Sequence, residues 1–169
     1  RSSPDTENLG QYVKKLRGNP SLEVIEQLGG SDATERAIGM GLEWFTANQE
    51  PDGHWEMSKH GSNSQYNTAG AGLALLCYYG WGIKHADDTR HARAQSKALA
   101  WMLKQQKANG DLRGGRGGRM YCHGIAAIAL CEAYGLTKDP KLKEPATLAI
   151  DFILKAQHAE GGWRYAPGN

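Results

Sequence analysis

The heptapeptide Gln49-Glu50-Pro51-Asp52-Gly53-His54-Trp55 returns twice, as Gln106-Lys107-Ala108-Asn109-Gly110-Asp111-Leu112 and as Gln157-His158-Ala159-Glu160-Gly161-Gly162-Trp163. Each copy runs Gln, two residues, an acid or amide, Gly, one residue, then Trp or Leu. Self-similarity at a period of about 50 residues marks a repeat architecture, in which one unit of supersecondary structure is stacked on the next. Positions that change chemistry between copies, such as His54 against Asp111 or Trp55 against Leu112, read as packing positions and not as a shared catalytic group.

Each heptapeptide follows a stretch with helical spacing of apolar residues. Residues 32–48 carry Ile38, Leu42 and Phe45 on the face that leads to Gln49. Residues 92–107 carry Leu99, Met102 and Leu103, and a third helix is expected from Glu144-Pro145, with Pro in a first turn, through Leu148, Ile150, Phe152 and Ile153 to Gln157. A second kind of helix follows the first two turns, over residues 67–79 and 121–134. These two align at a constant separation: Gly70 with Gly124, Leu76 with Leu130, Cys77 with Cys131. They are small or apolar around the whole circumference, so they are expected inside, covered on all sides, with the Gln-terminated helices outside. The expected fold class is therefore all-α, an α/α toroid-type repeat of stacked helical hairpins, with repeats at approximately 31–80, 92–135 and 144–169, the last truncated. Residues 1–30 are a helical lead-in, with one short helix over 9–16 and another capped by Ser21. The connectors 81–93 and 137–143 read as solvated loops.

Composition sets bounds on function. A net charge of +2 calls for no acidic partner such as nucleic acid, and no apolar run approaches the roughly 20 residues of a membrane span. The 22 glycines of 169 residues are about twice ordinary usage and fall in turns and apolar helices, which indicates tight turns and close helix packing. Cys77, Cys122 and Cys131 are an odd set. Cys77 and Cys131 lie in apolar helical stretches, so buried, reduced thiols are expected, in keeping with a cytoplasmic location.

The series Gly41, Trp44, Phe45, Gln49, Gly53, Trp55, repeated as Ala98, Trp101, Met102, Gln106, Gly110, Leu112 and as Ala149, Phe152, Ile153, Gln157, Gly161, Trp163, resembles the QW motif of terpenoid cyclases. With the inner helices, residues 31–169 resemble the prenyltransferase/squalene-oxidase repeat superfamily, most of all its uncharacterised bacterial repeat proteins. The superfamily includes squalene and oxidosqualene cyclases and protein prenyltransferase β-subunits, and complement-type thioester domains share its fold. The resemblance implies a closed toroid of about six hairpins, of which this chain holds about 2.5, and so a fragment of a longer protein. It also implies a structural role for Gln49, Gly53, Trp55, Gln106, Gly110, Gln157, Gly161 and Trp163. The physical reading agrees: Gly takes a turn conformation that other residues resist, Gln bonds open backbone groups at a helix end, and Trp covers the junction.

The chemistry of that superfamily is not written in these residues. There is no Asp-rich cyclase motif (Asp87-Asp88 sits in a polar connector), no Gly-Cys-Gly-Glu-Gln thioester motif, and no set of ligands spaced for zinc. Cys122 and His123 are adjacent, which on a helix points them about 100° apart. No metal, cofactor or catalytic residue is expected. Two features carry what chemistry there is. Arg113-Gly114-Gly115-Arg116-Gly117-Gly118-Arg119 alternates arginines with glycine pairs before an inner helix, an arrangement able to bind anions. His123, near the start of that helix, is placed to line a cavity. Arg113, Arg116, Arg119 and His123 are thus the candidate ligand-binding residues, for a small anionic or isoprenoid ligand. The leading functional expectation is a non-catalytic repeat or binding module from a larger protein, partnered by the remaining hairpins or by itself. The alternatives are part of an isoprenoid (squalene or prenyl diphosphate) processing cyclase or transferase, and a polysaccharide or peptide binder using Tyr66, Tyr78, Tyr79 and Tyr121 on the concave face.

Overall fold

A computed structural model describes residues 21–115 and 117–168. The helix expected over 9–16 lies outside the described residues, as does Arg116. The described chain is all-α: six helices, two short 3-10 turns at Met57–His60 and Ser64–Tyr66, and no strand among the described residues. In chain order the helices are α1 (Leu22–Gln27), α2 (Asp32–Ala47), α3 (Asn67–Gly80), α4 (Arg90–Gln105), α5 (Met120–Thr137) and α6 (Pro140–Lys155).

The longer polar-faced helices start where a side chain can satisfy their free N–H groups. Ser31 and Thr34 form a reciprocal capping box on α2, Thr89 accepts from Ala92 N on α4, and Asp139 accepts from Lys141 N on α6. Caps at Thr89 and Asp139 correct two expectations. The second outer helix starts at Arg90, not near residue 92, and the third starts at Pro140, not at Glu144-Pro145. Pro140, which directly follows the Asp139 cap, takes the first-turn role, and Pro145 lies inside the helix. The 137–143 connector is consequently helical except at Lys138 and Asp139. Lys138, left-handed at φ 56°, turns the chain between α5 and α6.

The α3 and α5 helices form the most extensive pair, lying side by side with their starts together: Tyr66, just before α3, is 5.8 Å from Tyr121 in the first turn of α5. Small residues allow this approach. A Cβ on Gly72 would stand 3.0 Å from Ile125 Cγ2 and 3.1 Å from Ile125 O. Each inner helix makes its closer approach to the outer helix that follows it, α3 to α4 and α5 to α6, so successive hairpins interlock. The core between them holds Leu75, Tyr78, Leu99, Met102, Leu130 and Leu142, among others.

Two burial expectations need correction. The inner helices are not covered all round: Leu73 on α3 and Ile128 on α5 are exposed, as is Cys77, because no described element lies against those edges. Cys122 is buried and Cys131 half-buried.

Candidate functional site

The three Gln–Gly turns share one backbone. The residue after Gln donates to the carbonyl of the residue after Gly: Glu50 N to His54 O at 2.8 Å, Lys107 N to Asp111 O at 3.0 Å, His158 N to Gly162 O at 2.9 Å. The glycines Gly53, Gly110 and Gly161 have φ of 110°, 88° and 90°, a region that costs other residues strain. Gln49 Nε2 donates to Gly53 O and to Ala94 O, both at 2.8 Å. Gln106 Nε2 donates to Gly110 O at 3.4 Å and to Pro145 O at 2.9 Å. The first bond closes the turn on itself. The second fastens it to the next outer helix. Trp55 Nε1 donates to Phe45 O and Trp163 Nε1 to Ile153 O, each at 2.8 Å, tying the turn back to its own helix.

Behind the second turn lies the segment with the candidate ligand residues. Asp111 is buried, and its carboxylate accepts from Arg113 N at 2.9 Å, Arg113 Nε and Nη2 at 3.0 Å each, and Lys107 Nζ at 2.9 Å. Burial alone would raise the Asp111 carboxyl, but the bonds from Arg113 and Lys107 outweigh it and hold it at about 2. Arg113 therefore spends its fork on Asp111, with its guanidinium 5.5 Å over the Phe152 ring. Arg119 lies over a different ring, 5.6 Å from the centre of Tyr165.

His123 does not line a cavity. It is fully buried, with Nδ1 accepting from Leu112 N at 2.9 Å and Nε2 donating to Ala149 O at 3.0 Å. Both bonds are to backbone, so the ring is a neutral spacer joining the second turn, α5 and α6. Burial pushes its pKa down, against the opposing pull of the Ala149 carbonyl. Tyr78 and Tyr79, expected on a binding face, are also buried in the core.

What remains open is an aromatic groove. Tyr121 stands between Tyr66 at 5.8 Å and Tyr165 at 6.3 Å. With Met120, Gly124, Ile153, Trp163 and Arg164, Tyr121 and Tyr165 line an apolar hollow of about 580 Å³. Tyr66 and Tyr121 were legible as surface aromatics. The contribution of Trp163, Arg164 and Tyr165 was not, because it depends on Met120 N donating to Tyr165 O at 3.0 Å, which brings the third turn against the start of α5.

A polar network also escaped sequence reasoning. Thr46 Oγ1 is 2.8 Å from Tyr78 Oη and 2.7 Å from His91 Nδ1, and His91 Nε2 is 3.3 Å from Glu43 Oε1. It joins α2, α3 and α4 around the Leu42 carbonyl, to which Thr46 donates at 3.1 Å and Tyr78 at 3.3 Å. Its hydroxyls are thereby occupied in holding helices together. Among the described residues no three His, Cys, Asp or Glu side chains stand together as a metal site, and no helix is long and apolar enough to cross a membrane. Comparison with family models, with curated proteins and with solved structures gave no match.

Proposed function

We propose that the chain is a non-catalytic helical-repeat module that acts by binding an apolar surface. The observation that supports this reading is the pairing of spent chemistry with open apolar surface. His123, Asp111 and Arg113 are occupied by framework bonds, while Tyr121, Trp163 and Tyr165 form an exposed groove. Exposed aromatic patches of this kind are a usual mark of recognition surfaces. In this reading the Gln–Gly turns are the joints of a partial α/α toroid of the terpenoid-cyclase type.

The test uses an apolar anionic dye, anilinonaphthalene sulfonate, titrated into the protein. Saturable binding is expected, weakened by the double substitution Tyr121→Ser, Tyr165→Ser with the helical circular dichroism retained. Absence of binding, or binding indifferent to that substitution, sinks the reading.

An isoprenoid-processing role is the second reading, favoured by the apolar groove with Arg164 at its wall and Arg119 beside Tyr165. It predicts that farnesyl diphosphate raises the melting temperature and is turned over in the presence of magnesium or zinc. Turnover would displace the non-catalytic reading. An unmoved melting temperature would remove the isoprenoid one.

A further inference from the structure

The three repeats can be compared position by position, and the comparison shows two open ends that fit one another. In register, α2, α4 and α6 place Ala37, Ala94 and Pro145 at one position, Met40, Lys97 and Leu148 at the next, then Gly41, Ala98 and Ala149, then Trp44, Trp101 and Phe152. On α4 and α6 this stripe receives the preceding turn. Gln49 bonds Ala94 O while Gly53 presses on Lys97 O, where a Cβ would stand 2.3 Å away. Gln106 bonds Pro145 O while Gly110 presses on Leu148 O, where a Cβ would stand 2.0 Å away. His54 stacks on Trp101 at 5.0 Å and 17°, and Arg113 covers Phe152.

On α2 the stripe receives no turn among the described residues. Trp44 is 45% exposed where Trp101 is 9% and Phe152 7%, and Ala37, Met40 and Gly41 are exposed too. The other end is open in the complementary way. The third turn has the same backbone bonds as the first two, yet among the described residues Gln157 Nε2 donates to Gly161 O alone, at 2.6 Å, and a Cβ on Gly161 would meet nothing within 4 Å. Trp163 is 48% exposed where Trp55 is 3% and Leu112 0%. Ile150 is exposed where its mates Leu42 and Leu99 are buried. The inner helices repeat the pattern. Ile128 of α5 is exposed while its mate Ala74 is buried, and Leu73 of α3 is exposed while its mate Ala127 is buried.

We infer that a second copy of this chain docks head to tail, the α2 stripe of one copy seating on the third turn and α6 of the other. Gln157 would donate to Ala37 O, Gly161 would lie against Met40 O, and Trp163 and Ile150 would be covered. The geometry is the one the chain uses twice within itself, so the interface continues an existing one and needs no new shape. Such a contact is heterologous: it leaves one open head and one open tail and so propagates or closes into a ring. This rests on the binding-module reading, whose groove shares Trp163 with the docking face.

Sedimentation velocity across a concentration series is expected to show mass growing past the dimer. Two single variants isolate the ends. Gly41→Arg blocks the head from an exposed position where an added Cβ meets nothing within 4 Å, and Ile150→Arg blocks the tail. Each alone should lose self-association and stay helical by circular dichroism, and an equimolar mixture should form a heterodimer and stop there. A wild-type monomer at every concentration, single variants that still self-associate, or a mixture that stays monomeric would each overturn the inference. Dye binding by the Gly41→Arg variant, whose tail is open, reports on the module reading separately.

Discussion

His123 shows how a residue chosen for its chemistry serves as a strut. Replacing it with Leu leaves the Leu112 N–H buried without an acceptor, a loss of about 1–3 kcal/mol of stability, read as a lower urea midpoint at unchanged slope. Its acid–base behaviour follows from the same bonds. His123 and His91 both resist protonation in the folded state, His91 first through burial and then through the Arg90 charge. Below the ordinary imidazole value of about 6.5 the unfolded chain binds protons that the folded one refuses, so stability is full above that value and falls as pH drops through it. Asp111 acts lower down: its contribution is present above its ordinary 3.8 and is lost as pH falls toward about 2. Urea midpoints taken from about pH 7.5 to about pH 3 should therefore decline in two stages, and His123→Leu should shrink the upper one. None of this was legible beforehand. The partners of His123 are the backbone atoms of Leu112 and Ala149, and a sequence does not say which distant carbonyl a ring will meet. Arg113 read instead as the first residue of an anion-binding loop, and Asp111 as a packing position of the second turn.

At the level of elements the three turns form an internal experiment. All three glycines have positive φ, so Ala at any of them costs about 1–2 kcal/mol for the conformation alone. Gly53→Ala and Gly110→Ala additionally drive a methyl group into Lys97 O and Leu148 O, and Gly161→Ala does not. Thermal or urea unfolding should rank Gly161→Ala as the mildest of the three by a clear margin. If all three cost the same, the close approach to the next helix is not what the glycine serves. The turns were readable because Gln49, Gln106 and Gln157 recur in one frame, and recurrence survives changes such as Trp55 to Leu112. The helix starts were read less well. Pro140 and Pro145 both satisfy a first-turn pattern, and it is the Asp139 cap that decides between them.

For the whole molecule, the same repeat pattern that organises the fold also determines which residues are left uncovered. An inner helix of Ala, Gly and Leu was expected to be enclosed, yet Leu73 and Ile128 are exposed, because enclosure requires a neighbour at each edge and the described residues supply none at those two. Repeat proteins approximate a sum of unit stabilities and nearest-neighbour interfaces, so covering the two ends adds interfaces without altering any unit. Stability should then rise with protein concentration for the wild type and be independent of concentration for Gly41→Arg, as measured by melting temperature across a dilution series.

The tryptophans are distributed so that the ends can be watched by their own light. Trp55 and Trp101 are buried inside joined repeats, whereas Trp44 and Trp163 stand at opposite open ends, each about half in water. A water-exposed indole emits further to the red and is reached by iodide, and a covered one is not. Two of the five tryptophans thus label the head and the tail without any added dye. Trp44→Phe and Trp163→Phe would then separate the two signals, and head-to-tail contact requires both to shift together as concentration rises.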